Sequence, residues 1–192
     1  MNINLHVFTE EPSAKNVFDI ILPKILPEGV YFTVYPHQGK QDLERALKTT
    51  IPSISKIPGA KILITRDQDS GDCLVIKNDI DSIVKLNCKC DYYIRIVCKE
   101  LEAWFLGDLN AVESAYPRFR ASQYSGKAGF RNVDKLTGPN RHLLRMLPEY
   151  SKRDNLPKLE VSENITPFLN LDANNSNSFN HTLKAIKKLV GI

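Results

Sequence analysis

"AKILITRDQDSGDC", at residues 60–73, joins an apolar run to an acidic one without a break. Its KILIT segment, residues 61–65, is short, apolar and rich in β-branched residues, which is typical of a buried strand. The segment that follows brings Asp67, Asp69 and Asp72 together within six positions. In parallel sheets, functional groups gather beyond the carboxyl ends of the strands. The junction therefore predicts a core strand with a site at its end.

Three other short segments have the same strand-like composition, and helical patterns lie between them. The other strands are predicted at INLHVF (3–8), VYFTVY (30–35) and YYIRIV (92–97), and the helices at residues 13–26, 40–51 and 72–86. This alternation predicts an α/β sandwich, with a mostly parallel four-stranded sheet flanked by helices and joined by right-handed crossovers.

Several polar residues beside these helices are explained by capping, because Ser, Asp and Asn side chains accept hydrogen bonds from the first free amides of a helix. Ser13 and Asp72 are expected to cap the helices that follow them. The NNSNSF segment, residues 174–179, overlaps the start of a last predicted helix at 178–190. Its Ser and Asn residues either hold that helix in place or reach the site.

The composition is that of an ordinary globular domain, with 192 residues, 42% of them hydrophobic and 25% charged. The formal net charge of +4 is compatible with a polyanionic partner without requiring one. The first residues lack the basic start and apolar run of a secretory signal, and no stretch approaches the ~20 apolar residues of a membrane span. We therefore expect a soluble cytoplasmic protein, and its four cysteines are expected to be free thiols.

The alternation of strands and helices ends near residue 110. We expect an α/β core over residues 1–110 and a mostly helical and looped C-terminal extension over residues 111–192, packed on the same domain. The extension contains the most basic stretch of the chain, and the Lys and Arg residues of its 118–153 region are candidates for holding a phosphate backbone.

Ionisable residues follow every predicted strand, and a parallel sheet would bring them to one edge. In strand order they are Glu10 and Glu11, then His37 and Lys40, then Asp67 and Asp69, then Glu100 and Glu102. If the strand continues through RDQD, Asp67 and Asp69 point to the same side, because side chains alternate with period two. With Glu10 or Glu11 they would hold one or two Mg²⁺ ions, whereas a solvated turn is the simpler alternative.

The other ionisable residues at this edge have local explanations beside their functional ones. Glu102 and Glu100 suit a helix N-terminus, and Glu100, nearest the strand end, is also a candidate for the metal side of the site. Lys40 and His37 are candidate catalytic groups, with Lys40 suited to neutralising phosphate charge. The simpler explanation is that both are ordinary surface residues.

The order of these residues resembles the Toprim domain of topoisomerases, primases and OLD-family nucleases, which carries a Glu after its first strand and an Asp-x-Asp after its third. The resemblance matches Glu10 to the Glu, and Asp67 and Asp69 to the Asp-x-Asp. It implies that these residues bind Mg²⁺ or Mn²⁺ for phosphodiester chemistry. Because EEPS replaces the usual Glu-Gly pair, Glu11 competes with Glu10 for the role.

A second resemblance covers nearly the whole chain. The motifs EEPS, HQGK, RDQD, RIVCKELEAWFLGD and NNSNSF are similar to those of a Toprim-related bacterial family of unknown function. That family is often encoded beside an AAA-type ATPase, in an arrangement like that of phage-defence operons. The resemblance implies a nuclease effector with DNA or RNA as substrate and an ATPase as partner, and a homodimer is a further expectation.

The chain is therefore predicted to be a divalent-metal-dependent nuclease. Glu10, Asp67 and Asp69 would hold the ion, and Glu100 would support a second ion or a general base. Two alternatives use the same acidic edge. One is a phosphatase or phosphotransferase acting on a small phosphorylated substrate, and the other is a non-catalytic subunit that binds an ATPase.

Overall fold

The computed structural model describes residues 2–192, which contain one four-stranded sheet with helices on both faces. The strands are β1 (Ile3–Thr9), β2 (Val30–Pro36), β3 (Ala60–Asp67) and β4 (Tyr92–Val97). They lie in the order β2-β1-β3-β4, and every neighbouring pair is parallel. The predicted α/β class is confirmed, and the architecture is consistent with a Toprim-like sandwich.

Helices connect the strands and then make up most of the chain beyond β4. The first four are α1 (Pro12–Ile25), α2 (Lys40–Thr49), α3 (Ile51–Ile54) and α4 (Cys73–Asn87). After β4 come α5 (Glu102–Leu106), α6 (Leu109–Ala115), α7 (Pro139–Met146), α8 (Lys158–Ile165) and α9 (Asn177–Val190). Single 3₁₀ turns lie at Ala121–Gln123, Ala128–Phe130, Val133–Lys135, Pro148–Tyr150 and Thr166–Phe168. Within residues 2–192, the helices are all too short or too polar to cross a membrane.

The sheet separates two apolar layers, because successive side chains of a strand point to opposite faces. Leu63 of β3 packs in the layer that contains α1 and α9, whereas Ile62 and Ile64 pack in the layer that contains α2 and α4. All three side chains are fully buried. Burial on both faces explains why β3 reads as a continuous apolar run rather than as an alternating one.

The C-terminal extension shares the layer that contains α1. Its helix α9 packs against β3 and β4, and the boundary expected between residues 110 and 111 falls inside α6. Trp104 of α5 is fully buried, and its indole Nε1 donates a hydrogen bond to Ser178 Oγ at 2.9 Å. Ser176 accepts a hydrogen bond from the Phe179 amide and caps α9, so the structural explanation of the NNSNSF segment is confirmed.

The predicted caps of the earlier helices have mixed outcomes. Asp72 caps α4 as expected, because its Oδ1 accepts hydrogen bonds from the amides of Leu74 at 2.8 Å and Val75 at 3.0 Å. Ser13 was expected to cap α1, and this is wrong. The helix begins at Pro12, whose fixed φ and missing amide suit the first turn, so Ser13 lies inside the helix. All four cysteines are free.

Candidate active site

Carboxylates from distant parts of the chain meet at the carboxyl edge of the sheet. Glu10 follows β1, and its Oε2 accepts a hydrogen bond from the amide of Asp67, the last residue of β3, at 3.1 Å. Asp67 Oδ2 lies 3.4 Å from the amide of Leu101, which follows β4 and donates to it. Glu10 and Asp67 are 57 positions apart in the sequence, and the parallel arrangement of β1 and β3 brings them together.

Glu102 belongs to this centre, although the sequence explained it as an acidic residue at a helix N-terminus. It lies in the first turn of α5 and is 1% exposed. Its Oε2 is buried and has no hydrogen-bond partner among residues 2–192. A buried carboxylate oxygen without a partner is unfavourable unless a proton or a cation satisfies it. Glu102 is therefore a candidate ligand that the sequence did not single out.

Lys158 is the cation closest to these carboxylates, and it comes from the C-terminal extension. Its Nζ donates to Glu11 Oε2 at 2.9 Å and to Glu11 Oε1 at 3.2 Å, and it lies 3.9 Å from Glu102 Oε1. Burial by itself lowers the pKa of Lys158, but the charges of Glu102, Glu11 and Asp67 outweigh burial and raise it. Lys158 lies outside the basic 118–153 region, and no motif in the sequence marks it.

Arg66 is the second cation beside the centre. Its guanidinium donates to Glu44 Oε1 at 3.0 Å, and its Nε lies 3.9 Å from Glu10 Oε2. The Arg66 side chain is 13% exposed, and its Nε has no hydrogen-bond partner among residues 2–192. Arg66 therefore interacts with Glu10 in the centre and also with Glu44, which lies outside it.

The centre holds more negative than positive charge. Four carboxylates, those of Glu10, Glu11, Asp67 and Glu102, lie beside two cations, those of Lys158 and Arg66. The pKa of Glu10 is raised, the pKa of Asp67 is raised well above its usual value, and the pKa of Glu102 is raised to about 7. Burial is the largest cause in all three cases. Repulsion among the carboxylates raises these pKa values further, so the ionised centre is short of positive charge.

The donor set of this centre fits a hard divalent cation, because Mg²⁺ and Mn²⁺ prefer carboxylate oxygens. A recess of about 10 Å³ between Glu10, Glu11 and Asp67 takes in about one water-sized particle. No three His, Cys, Asp or Glu side chains of residues 2–192 are arranged to hold a metal ion as they stand. Since Glu11 is turned toward Lys158, it would have to rotate to contribute to a metal site.

Asp69 does not continue the strand, so the predicted geometry of the Asp67 and Asp69 pair is wrong. The strand β3 ends at Asp67, and Asp69 has a φ of +52°, in the left-handed region that few residues other than glycine adopt. Its amide donates to the carbonyl of Lys99, itself at a φ of +62°, at 2.8 Å. The Asp69 side chain is exposed, but its charge contributes to raising the pKa of Glu10. Asp69 therefore stays near the centre without sharing a strand face with Asp67.

The remaining predicted residues lie at this edge with contacts of their own. Glu100 Oε2 accepts a hydrogen bond from the amide of Asn140, at the start of α7, at 2.9 Å. His37 was explained as a surface histidine, and this is wrong: it is buried, with its Nδ1 2.9 Å from the carbonyl oxygen of Thr9. Lys40 is exposed and forms no ion pair with any residue from 2 to 192. None of these contacts joins His37 or Lys40 to the carboxylates, and their catalytic roles stay predictions.

The comparisons with known proteins add no relative, since no family model, no curated protein and no solved structure matches the chain. The likeness to Toprim proteins therefore rests on the sequence motifs alone and stays a prediction.

The raised pKa values predict that folding stability falls as the pH rises, when divalent cations are absent. Between pH 4.5 and about 7, Glu102 is ionised in the unfolded chain but keeps its proton in the folded one. The folded state then binds more protons than the unfolded state, so raising the pH favours unfolding. A shift of this size corresponds to about 3 kcal/mol, and Asp67 and Glu10 act in the same direction.

Urea unfolding in EDTA at a series of pH values measures this dependence. In Glu102→Gln the loss of folding stability between pH 4.5 and about 7 should be smaller, because the side chain no longer titrates. Glu28 is exposed, so Glu28→Gln is the matched control and should keep the full dependence. An equal pH dependence in Glu102→Gln and the wild-type protein would show that Glu102 is not the group responsible.

Proposed function

We propose that the chain is a nuclease that hydrolyses phosphodiester bonds with Mg²⁺ or Mn²⁺ at the carboxylate centre. The observation that carries the proposal is the buried, unpartnered oxygen of Glu102 beside Asp67, in a centre with fewer cations than carboxylates. Glu10, Asp67 and Glu102 would hold the ion once their side chains turn toward it, since no three carboxylates of residues 2–192 are arranged for a metal ion as they stand. Glu11 and Asp69 would be further ligands. The likeness of these motifs to the Toprim pattern supports the same activity.

The bound ion would stabilise the negative charge that develops on a phosphodiester during displacement. The chain's own residues hold the carboxylate ligands in place, and Lys158 supplies a second cation. The Asp67 amide fixes Glu10, and the Leu101 amide fixes one oxygen of Asp67. If Glu11 turns toward the ion, Lys158 is released to pair with a phosphate oxygen at the same place.

A cleavage assay tests the proposal. Purified protein should cleave labelled DNA or RNA strands in Mg²⁺ or Mn²⁺ and not in EDTA. Glu10→Gln should reduce the rate by about 10²-fold or more, since losing about 3 kcal/mol of transition-state stabilisation has that effect. Glu11→Gln, measured beside it, shows which of the two glutamates is the ligand. Glu28→Gln, at an exposed position, should cleave at the wild-type rate.

The same assay separates the alternative functions. A nuclease should hydrolyse the diester bis-p-nitrophenyl phosphate, whereas a phosphatase should prefer the monoester p-nitrophenyl phosphate. A non-catalytic subunit should cleave neither and should not bind Mn²⁺ at millimolar concentration. The AAA-type ATPase partner and a role in phage defence follow from the family likeness alone, so the assay should be repeated with a neighbouring ATPase where one is encoded. Metal-dependent cleavage that survives both Glu10→Gln and Glu11→Gln would contradict the assignment of the site.

A further inference from the structure

A groove on the C-terminal extension carries three guanidinium groups. It has a volume of about 680 Å³ and is lined by residues between Asn140 and Leu156. Arg141 and Arg145 are four residues apart on α7, so they lie on the same face of that helix. Arg153, in the chain before α8, is the third. The groove therefore brings together cations from two separate parts of the extension.

These guanidinium groups are exposed and little used by the fold. Arg141 and Arg145 form no ion pair with any residue from 2 to 192. Arg153 lies over the ring of Tyr150 and is 4.0 Å from Glu160, where both partners are about half exposed. An exposed pair of this kind contributes little to stability. The three cations are therefore available to a ligand.

The segment that forms the groove contacts the carboxyl edge of the sheet at one end and precedes a residue of the carboxylate centre at the other. At one end, the Asn140 amide donates to Glu100 Oε2 at 2.9 Å. At the other, Lys158 follows the groove by two residues and donates to Glu11 Oε2 at 2.9 Å. Both ends of the segment that forms the groove therefore lie close to the carboxyl edge of the sheet.

We infer that this groove holds the phosphodiester backbone of one nucleic-acid strand and leads it to the carboxylate centre. The inference rests on the proposed nuclease function and assigns its substrate contact. When its carboxylates are ionised, the centre carries excess negative charge and repels a polyanion, so a separate cationic surface is needed to attract one. Arginine suits this role because its planar guanidinium group donates two parallel hydrogen bonds to a pair of phosphate oxygens. Asp154 is the single carboxylate among the described lining residues, so the groove keeps a net positive charge.

Binding to a short fluorescein-labelled oligothymidylate, measured by anisotropy in EDTA over a series of salt concentrations, tests the inference. The full chain with Arg141→Ala, Arg145→Ala and Arg153→Ala should bind more weakly at low salt. The slope of log K against log salt should decrease in magnitude by about 2, since each phosphate contact on a single strand contributes about 0.7. Arg145→Ala alone should lower it by about 0.7, and the triple Arg→Lys variant should restore most of the slope.

A matched control removes the same number of charges from exposed positions of the α/β core, outside both the groove and the basic 118–153 region. Lys56, Lys77 and Lys89 are exposed, and the triple variant Lys56→Ala, Lys77→Ala and Lys89→Ala should keep the wild-type slope. Equal losses in the two triple variants would overturn the inference, because they would indicate diffuse charge attraction. Competition by pyrophosphate as strong as that by the oligonucleotide would also overturn it, in favour of a small phosphate ligand.

The inference and the proposed function can fail separately, because binding is measured without divalent cations. Binding through the groove without cleavage under any metal condition would support the groove and contradict the nuclease. Cleavage by the wild-type protein together with an unchanged slope in the groove variant would keep the nuclease and overturn the groove.

Discussion

Asp67→Asn should abolish metal-dependent phosphodiester cleavage while leaving the fold intact. The substitution removes the negative charge of the carboxylate at the middle of the centre, which would weaken its hold on the metal ion. We expect the rate to fall by about 10³-fold or more, which corresponds to a rise of about 4 kcal/mol in activation free energy. Stability should not fall, because the pKa of Asp67 is raised by burial and by Glu102, Glu11 and Glu10. A neutral amide at this position relieves that repulsion and still accepts the hydrogen bond from Leu101.

Cleavage rate and urea unfolding, measured at one pH near 8, test both halves of this expectation. Asp72→Asn is the matched control from the same loop, since Asp72 caps α4 and asparagine caps almost equally well. It should change neither the rate nor the stability. If Asp67→Asn lowered activity and stability together, Asp67 would be a structural carboxylate rather than a part of the reaction centre.

Lys158→Met should destabilise the fold by about 3 kcal/mol near pH 8, the largest effect on stability that we expect from one residue of the site. It removes the cation beside Glu102, which is 1% exposed, and leaves a buried carboxylate without compensation. This loss of stability is at the low end of the range for breaking a buried ion pair, because the Lys158 side chain is 31% exposed. The loss should diminish toward pH 5, where Glu102 takes up a proton and no longer needs the cation.

A double-mutant cycle separates this effect from the loss of packing. Glu102→Gln should recover most of the stability that Lys158→Met removes, since the buried charge is then gone. Lys152→Met, at an exposed position near Lys158 in the chain, should be close to neutral. A loss in Lys158→Met that is the same in the Glu102→Gln background and at every pH would show that Lys158 acts through packing rather than through charge.

The fold could be predicted from the sequence because its signals are local. In β3 the apolar run of Ile62, Leu63 and Ile64 is buried on both faces, so a short stretch of sequence reveals a strand without reference to its neighbours. The predicted strands match the observed ones to within two residues at every end. The approach of Glu10 to Asp67 could also be predicted, since parallel strands end at one edge.

Other parts of the site could not be predicted, because they depend on contacts between distant residues. Glu102 has a sufficient local explanation at a helix start, and its burial is decided by the packing of the extension over α5. Lys158 reaches Glu11 across 147 positions of sequence, and nothing near it distinguishes it from other lysines. Asp69 was placed on a strand face because its spacing from Asp67 is two, but the backbone turns into the left-handed region there.

The sequence by itself determined the parallel sheet and the carboxylates at its edge, because hydrophobic pattern and strand order act over short ranges. Only the tertiary structure decided the balance of charge at that edge. Charge balance depends on which carboxylates lose water and which cations approach them, and both follow from how α5 and the extension pack on the sheet. The tertiary structure therefore made Glu102 and Lys158 parts of the centre, and it brought the segment that forms the arginine groove into contact with Glu100 at the same edge.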